Sequence, residues 1–390
     1  MKIKYLRPID KYFCFFLCAS LFIFKRFVKT LNFSDRQQIN KILIIKFWGF
    51  GSIILAYDFF QLIRNKFPHA YVCALTLKQN SQIFKISGLF DTIIDLDIKY
   101  PTLFITNIIK IISYLRKESF DVSFDLEFTS RFSAIVSYLI NAKKRIGFQY
   151  RGIWRGDCFT DVVQFQEDIK LKDSFFKLYS LVNKDLGILP LPLKLIIADT
   201  EKAFIDSLLK EECLLNAKPI IGININASEL CLLRRWPKEY FVVLAEELIK
   251  IYSAYIIFIG SQEDSEYVKL TISLIHPSQR KHVFNFTGRV SLTQLFYLMS
   301  KFNLFISNDS GPLHLATYLK IPTVSFFGPE TPLLYGPQGE FDMVFYKNFN
   351  CSPCIRVKNY KHAQCEINQR CLREIKPDEV LNEIKRKGLL

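Results

Sequence analysis

Lys41-Ile-Leu-Ile-Ile-Lys46, followed by the glycine-bearing turn Phe47-Trp-Gly-Phe-Gly51, has the composition of a buried parallel strand that runs into a helix. The next stretch, Ser52–Phe67, is amphipathic and ends at Pro68, and Ala70–Leu77 is a second β-rich run. A strand, a helix and a strand in this order make a βαβ unit, and a series of such units builds a mostly parallel sheet. The segment therefore predicts an α/β protein.

The same alternation continues along the chain and starts again in its second half. Gly187, Pro190 and Pro192 punctuate the chain between the two series. We therefore predict two facing Rossmann-like domains, residues 39–190 and residues 191–390, with the active site in the cleft beyond the carboxyl ends of their strands. The other predicted strands are Thr92–Leu96, Phe120–Leu126, Ile220–Asn224, Tyr255–Gly260, Val283–Asn285, Leu304–Ser307 and Thr323–Phe327. The other predicted helices are Thr106–Lys117, Glu201–Leu215, Pro237–Ile251, Asp264–Ile275, Ser291–Lys301 and Pro312–Leu319.

The composition narrows the class of partner. Half of the 390 residues are hydrophobic and 23% are charged, which excludes a disordered chain and provides for a sizeable core. The net charge of +15 favours an anionic partner: nucleic acid, a membrane surface or a phosphorylated small molecule. Nucleic-acid binders interleave basic and aromatic residues across one face. The charge beyond the first thirty residues is diffuse, so nucleic acid is not expected as a partner.

Residues 1–38 form a separate basic and apolar segment. Its first thirty residues contain seven basic side chains and one acidic side chain, Asp10, around a stretch of 13 apolar or small residues, Tyr12–Phe24. A spanning helix needs about 18–20 apolar residues. We therefore expect the segment to lie in the interface of an anionic membrane, which places the protein in the cytoplasm, peripheral at the inner face of the cytoplasmic membrane. An uncleaved signal-anchor and an ordinary packed helix are the alternatives.

The ten cysteines fall into two groups. The C-terminal group, Cys351, Cys354, Cys365 and Cys371, has the spacing C-x2-C-x10-C-x5-C. Four thiolates can hold a structural zinc ion, although the last pair is spaced more widely than usual. Zinc, free thiols and a disulfide all stay open for this group, and no metal is assigned. The others are expected to be mostly buried thiols in a reducing compartment: Cys14, Cys18, Cys73, Cys158, Cys213 and Cys231.

The strongest chemical signal is Ser307-Asn-Asp-Ser-Gly-Pro-Leu-His-Leu-Ala316, where a strand ends and a helix begins. Ser310 can cap this helix, and Gly311 lets the backbone approach a ligand. A helix N-terminus offers N–H groups and a positive dipole end, which together bind phosphate. His314 could donate to a phosphate oxygen, and Asp309 could accept from a sugar hydroxyl. A well-capped helix with a structural histidine is the alternative.

Further segments accompany this motif in a fixed order. They are Ile44–Ala56, then Arg234-Arg-Trp-Pro237, then Ile321-Pro-Thr-Val-Ser-Phe-Phe-Gly-Pro-Glu-Thr-Pro332, and finally Cys351-Ser-Pro-Cys354 with Cys371. Together they resemble the heptosyltransferase family, glycosyltransferase family 9, over roughly residues 41–380. The resemblance implies a GT-B fold, with two facing Rossmann-like domains and parallel sheets. It also implies an inverting, metal-independent transfer of a sugar from a nucleotide-diphosphate donor, without a cofactor.

The resemblance also implies roles for individual residues. A basic residue two positions before the family's Trp contacts the donor, which indicates Arg234 as the cation that stabilises the leaving diphosphate, with Arg235 beside it. Ser228 is a further candidate phosphate contact, and Glu263 and Asp264 match the place where a carboxylate binds the nucleoside. A solvated arginine and a solvated helix start are the alternatives for these residues.

Inverting transfer needs a base to take the proton of the acceptor hydroxyl. In many family members an Asp directly after the second Gly of the first turn has this role, and Ser52 stands there in this chain. A serine cannot act as a base unaided. Glu127, which follows the predicted strand Phe120–Leu126, is the leading substitute. The other outcomes are that this branch of the family uses a different active-site geometry, or that the protein is not a catalyst.

The sequence therefore favours an inverting glycosyltransferase that moves a heptose-like sugar from a nucleotide-diphosphate donor. Its acceptor would be a lipid-linked or saccharide precursor of the cell envelope, of the lipopolysaccharide type. A noncatalytic nucleotide-sugar-binding or scaffolding member of the same fold is the alternative function.

Overall fold

The computed structural model describes residues 8–25, 38–184, 195–227, 231–357 and 363–390. The chain divides into two units, Met1–Ile196 and Ile197–Leu390. Gly187, Pro190 and Pro192, which punctuate the sequence between the two predicted domains, lie outside the described residues.

The first unit is built on a parallel sheet. Its strands are β1 Lys41–Ile45, β2 Tyr71–Leu77, β3 Thr92–Leu96, β4 Val122–Asp125, β5 Lys144–Gln149 and β6 Asp161–Gln164. They lie in the order β3-β2-β1-β4-β5-β6, and every neighbouring pair is parallel. The first four strands confirm the sequence prediction. The residues of β1, β2 and β4 are almost all buried, as in a covered parallel sheet, whereas β3 at the edge of the sheet is mostly half-buried.

The sequence pattern does not predict β5 and β6. Strand β5 contains Arg145, which is 5% exposed and donates from Nε to the carbonyl of Cys158 at 2.9 Å. Gly147 of the same strand lies under the ring of Phe159, and a Cβ atom there would be 2.5 Å from that ring. A buried cation and a glycine interrupt the aliphatic run by which a buried strand is recognised.

The helices of this unit differ from the prediction at two places. The single helix expected at Ser52–Phe67 is divided into Phe50–Ile54 and Tyr57–Lys66, and the helix expected at Thr106–Lys117 extends over Pro101–Lys117, with Pro101 in its first turn. Further helices that the sequence pattern did not predict are Ser81–Ser87, Arg131–Ile140 and Leu171–Tyr179.

The second unit repeats the same strand order. Its strands are β7 Ile220–Asn224, β8 Tyr255–Phe258, β9 Val283–Asn285, β10 Leu304–Asn308, β11 Thr323–Phe327 and β12 Met343–Tyr346, of which β12 was not predicted. They form a parallel sheet in the order β9-β8-β7-β10-β11-β12. The helices are Asp199–Glu211, Lys238–Tyr252, Ser265–Ile272, Leu292–Met299, Gly311–Tyr318, Pro332–Tyr335, Arg370–Arg373 and Pro377–Lys387.

Both sheets reverse their strand order at an equivalent place. The chain moves outward in one direction from β1 and then resumes on its other side at β4, and it does the same at β7 and β10. Ligands of doubly wound sheets bind beyond the carboxyl ends of the strands at this switch point. Within each unit, the loops after the two strands at the switch point are therefore where a ligand site is expected.

The C-terminal tail packs on the second unit. Trp236 is fully buried, stacks on Phe326 at 4.1 Å between ring centroids, and donates from its indole nitrogen to the carbonyl of Ile375 at 2.9 Å. Val380 and Ile384 of the last helix belong to the same core cluster.

The N-terminal helix fills a gap in the helical layer of the first unit. The connection between β5 and β6, residues 150–160, contains no helix. A π-helical turn, Ile9–Phe13, leads into the helix Cys14–Lys25, which packs on the helix Arg131–Ile140. Cys14 and Cys18 are buried there in one cluster with Phe159, which covers β5. The alternative of a packed helix is therefore correct for this face of the segment.

The opposite face of the N-terminal helix is apolar and exposed. Tyr12, Phe13, Phe16 and Ile23 are each more than half accessible to solvent. None of the described helices combines the length and the hydropathy that crossing a bilayer requires. The helix thus has one face in the protein core and one apolar face without a partner among the described residues.

Candidate active site

Side-chain amides join the carboxyl ends of β7 and β10. Asn308, the last residue of β10, is fully buried, donates to the carbonyl of Ile225 at 2.9 Å and accepts from the backbone N–H of Trp236 at 2.8 Å. Asn224, the last residue of β7, donates to the hydroxyl of Ser310 at 2.9 Å. These bonds fix the loop after β10 against the segment that carries the paired arginines. Sequence reasoning missed both asparagines, although a polar residue that ends a buried strand is a usable signal.

Arg234 and Asp309 form a partly buried ion pair at this strand end. A guanidinium NH of Arg234 lies 3.1 Å from Asp309 Oδ2, and the two side chains are 14% and 5% exposed. Burial alone would lower the pKa of Arg234, but the carboxylates of Asp309 and Glu330 outweigh burial and raise it, so the arginine stays a cation. Its Nε is buried and makes no hydrogen bond with any described residue. The sequence placed both residues in one site, and the structure brings them into contact.

The helix Gly311–Tyr318 starts directly after this ion pair. Ser310 occupies the N-cap position, but the expectation that its side chain caps the helix is wrong. Its hydroxyl instead pairs with the hydroxyl of Ser307 at 2.9 Å and accepts from Asn224 at 2.9 Å, because folding brings these two side chains, from β10 and β7, beside it. His314 is 7% exposed and lies 6.3 Å from Tyr335 between ring centroids.

Arg235 extends from the same segment towards the loop after β8. Its guanidinium lies 4.1 Å from the ring centroid of Tyr267 and 3.8 Å from Asp264 Oδ1. The other oxygen of Asp264 accepts from the backbone and hydroxyl of Ser261 in a capping box, so part of this carboxylate has a structural role. Glu263 beside it is exposed. Ser228, the remaining predicted phosphate contact, lies outside the described residues.

In the first unit, Glu127 closes the glycine-bearing turn after β1. Its Oε1 accepts from Lys46 Nζ at 2.9 Å and from the backbone N–H groups of Phe47 at 2.8 Å and Trp48 at 2.9 Å. The carboxylate is 5% exposed, and its Oε2 accepts no hydrogen bond from a described residue. One oxygen is therefore committed to holding the turn, and the other is available to a ligand.

A buried ion pair supports Glu127 from behind. Arg155 donates to Asp125 Oδ2 at 2.6 Å, and Asp125 Oδ1 accepts from the backbone N–H of Glu127 at 2.9 Å. Burial raises the pKa of the Asp125 carboxyl to about 6, although the Arg155 guanidinium opposes this shift. Sequence reasoning missed Arg155, because its partner lies thirty residues away and no local motif marks the contact.

Ser52 is bonded within its own turn. Its hydroxyl donates to the carbonyls of Trp48 at 3.0 Å and Gly49 at 2.9 Å. Gly49 has a φ of +84°, a conformation that favours glycine. Ser52 therefore shapes the turn that Glu127 also closes, and the assignment of Glu127 as base stays a prediction.

The cysteines do not assemble a metal centre in the part of the chain that is described. All ten are free thiols. Among the described residues, no group of three or more histidine, cysteine, aspartate or glutamate side chains is placed to hold a metal ion. Five of the six scattered cysteines are buried, in agreement with the expectation of mostly buried thiols, and Cys213 is exposed.

Comparison with known proteins identifies the family. The family model of glycosyltransferase family 9 (heptosyltransferase) matches residues 108–364, which is more than half of the chain. The lipooligosaccharide heptosyltransferase 2 of Campylobacter jejuni serotype O:6 is 28% identical over 277 residues, which cover 70% of this chain and 78% of that protein.

Solved structures show the same fold. A family 9 glycosyltransferase from Veillonella parvula aligns with a TM-score of 0.75 at 20% identity, over 91% of this chain and 99% of its own. The Escherichia coli ADP-heptose lipopolysaccharide heptosyltransferase II aligns with a TM-score of 0.70 at 22% identity, over 90% of this chain and 98% of its own. The chain thus has the GT-B fold, belongs to glycosyltransferase family 9, the heptosyltransferase family, and is a glycosyltransferase.

Proposed function

We propose that this protein transfers a heptose from a nucleotide-diphosphate donor, with inversion and without a metal ion, to a glycolipid of the lipopolysaccharide core. The names of the relatives support the sugar and the acceptor. The observation that carries the proposal is the arrangement of Arg234, a partly buried cation beside the end of β10. Arg234 is paired with Asp309, and its Nε is buried and has no hydrogen-bond partner among the described residues.

The leaving diphosphate develops negative charge as the glycosidic bond breaks. In the proposed mechanism, Arg234 and the N-terminus of the helix Gly311–Tyr318 stabilise that charge, because a cation and a helix dipole act strongly where water is excluded. Asp309 orients the guanidinium and accepts from a sugar hydroxyl. His314 in the first helical turn contacts the phosphate. Arg235, Glu263 and Asp264 contact the donor further out.

The acceptor hydroxyl must lose a proton during the attack. In the proposed mechanism Glu127 Oε2 takes this proton, while Oε1 keeps its three donors and fixes the orientation of the carboxylate. The acceptor oxygen attacks the anomeric carbon on the face opposite the diphosphate, so its new bond forms while the bond from that carbon to the diphosphate breaks, and the configuration of the product is inverted. The same three hydrogen bonds hold the turn after β1, so the carboxylate of Glu127 keeps its orientation whether or not the donor is bound.

The N-terminal helix supplies the membrane contact in this proposal. Its aromatic face is exposed, and Lys11 lies beside Tyr12 at the start of that face. The seven basic residues among the first thirty favour anionic lipid headgroups. The protein would then act at the inner face of the cytoplasmic membrane, where a lipid-linked acceptor is held.

A thermal-shift screen tests the donor site. ADP-, GDP-, UDP- and dTDP-linked sugars are added to the protein, and a ligand at 100 times its Kd should stabilise the folded state by about 2.7 kcal/mol. We expect ADP-heptose to raise the melting temperature and to lose this effect in Asp309→Ala. The donor site would be wrong if no nucleotide sugar raised the melting temperature of the wild-type protein.

A further inference from the structure

The N-terminal segment caps a helix that lies more than a hundred residues further along the chain. The Asp10 carboxylate accepts from the backbone N–H groups of Phe132 at 2.7 Å and Arg131 at 3.2 Å, and from the Ser130 hydroxyl at 3.0 Å. These residues begin the helix Arg131–Ile140, and the first N–H groups of a helix have no partner within it. A carboxylate in this place also complements the positive end of the helix dipole.

The capped turn ends the loop that carries Glu127. Arg155 donates from Nε to the carbonyl of Ser130 at 2.9 Å and from its terminal nitrogen to the carbonyl of Glu127 at 2.6 Å. Ser130, Arg155 and Glu127 are each less than a tenth exposed. Asp10, Ser130, Arg155 and Glu127 are therefore linked by one continuous series of short hydrogen bonds.

A second contact joins the N-terminal helix to the same region. The ring of Phe15 packs on Trp154 at 5.6 Å between centroids and lies under the guanidinium of Arg131 at 5.5 Å. Arg131 in turn donates from Nε to the carbonyl of Trp154 at 2.9 Å. The helix thus touches both the first residue of Arg131–Ile140 and the loop that supplies Arg155.

We propose that Asp10 is a positioning residue of the transferase. By capping the helix Arg131–Ile140 it holds the Glu127 loop in place, so the docking of the N-terminal helix sets the geometry of the acceptor-side carboxylate. The part of the inference that concerns turnover rests on the proposed function, whereas the part that concerns the loop does not.

The partner of the docked N-terminal helix in this proposal is an anionic bilayer, so that binding to the bilayer is coupled to the position of the Glu127 loop. The helix Pro101–Lys117 also packs on Arg131–Ile140, and it exposes Leu103, Ile105 and Ile109 by more than half. In the docked state the bilayer meets apolar side chains on two helices of one unit. Two linked attachments bind more tightly than one. A bilayer therefore favours the docked state, and with it the ordered Glu127 loop.

Hydrogen exchange of the full-length protein tests the loop directly. In Asp10→Ala, the amides of Arg131 and Phe132 should exchange about tenfold faster, as expected for the loss of a helix cap. Ser20→Ala is the matched control, because Ser20 lies exposed on the adjoining helix Cys14–Lys25 and its hydroxyl bonds, among the described residues, only to the carbonyl of Phe16 in the same helix. Its exchange at Arg131 and Phe132 should equal that of the wild type.

Turnover measured with and without vesicles tests the coupling. Vesicles of phosphatidylethanolamine with phosphatidylglycerol should raise kcat of the wild type towards a soluble acceptor fragment. Asp10→Ala should sediment with the vesicles but lose this increase, with KM for the nucleotide sugar unchanged. Asp10→Asn, whose amide oxygen still accepts a hydrogen bond from a backbone N–H, should recover part of the vesicle-induced increase in kcat.

The outcomes separate the inference from the proposed function. Unchanged exchange at Arg131 and Phe132 in Asp10→Ala would overturn the positioning role, whatever the activity. A wild type without transfer activity would overturn the proposed function and leave the exchange result to decide the role of Asp10 in the loop. Equal vesicle stimulation of wild type and Asp10→Ala would overturn the coupling to the bilayer.

Discussion

Arg234→Ala is expected to lower kcat/KM for heptosyl transfer by about 10²–10³-fold, the usual cost of removing one group that stabilises developing charge in a water-excluded site. The structure gives the reason, since Arg234 is nearly buried, remains a cation and has an Nε with no protein partner among the described residues. Steady-state kinetics with the nucleotide-sugar donor measure the effect. Most of the loss should fall on kcat, because the charge develops in the transition state.

Two further variants separate chemistry from folding. Arg234→Lys keeps the charge beside Asp309 but loses the planar fork, so its activity should lie between those of the wild type and Arg234→Ala. Arg289→Ala removes an arginine of the same unit that pairs with Glu212 at 2.6 Å on the surface, and it should leave kcat/KM unchanged. An Arg234→Ala protein that melts as the wild type does and retains full activity would remove Arg234 from the mechanism.

Glu127→Gln is the second large effect and should reduce kcat by about 10²–10⁴-fold, the range for loss of a general base. The amide oxygen of glutamine can still accept from Lys46 and from the two backbone N–H groups, so the turn should remain folded. The proton-accepting function is lost, because the amide nitrogen does not act as a base. The melting-temperature shift caused by the donor should persist in this variant.

Glu118→Gln is the matched control for Glu127→Gln. Glu118 pairs with Lys41 at 2.9 Å at the amino end of β1, whereas Glu127 pairs with Lys46 at 2.9 Å directly after the carboxyl end of that strand. The activity of the Glu118→Gln variant should equal that of the wild type. If Glu127→Gln transferred sugar at the wild-type rate, another group would have to be the base. Ser52→Ala should change the rate only slightly, since the Ser52 hydroxyl bonds, within the described part of the chain, only to carbonyls of its own turn.

The sequence predicts those strands that form β-rich runs between turns and helices. β3, β7, β9 and β11 have the predicted limits, because β-branched, aliphatic and aromatic residues predominate in these runs and the flanking turns end them. β5 escapes prediction because Arg145 finds its partners in backbone carbonyls and Gly147 makes room for a ring. Both features depend on segments that are brought together only by folding.

The site is predictable where its residues share one local motif. The loop Asp309–Gly311 follows from its strand, turn and helix signals, and the family resemblance adds Arg234. Arg155 and Asp10 could not be found in this way. Their partners lie thirty and more than a hundred residues away, and a lone arginine or aspartate carries no sequence signal of a distant hydrogen bond. The corrected role of Ser310 has the same cause, since Asn224 comes from another strand.

The reaction proposed for this protein is the transfer of a heptose with inversion and without a metal ion. The direct measurement is incubation of the protein with ADP-heptose and a heptose-deficient lipopolysaccharide core in excess EDTA, followed by mass spectrometry and NMR of the product. We expect that one heptose is added and that its anomeric configuration is opposite to that of the donor. A product of retained configuration, or transfer that occurs only when a divalent cation is restored, would contradict it.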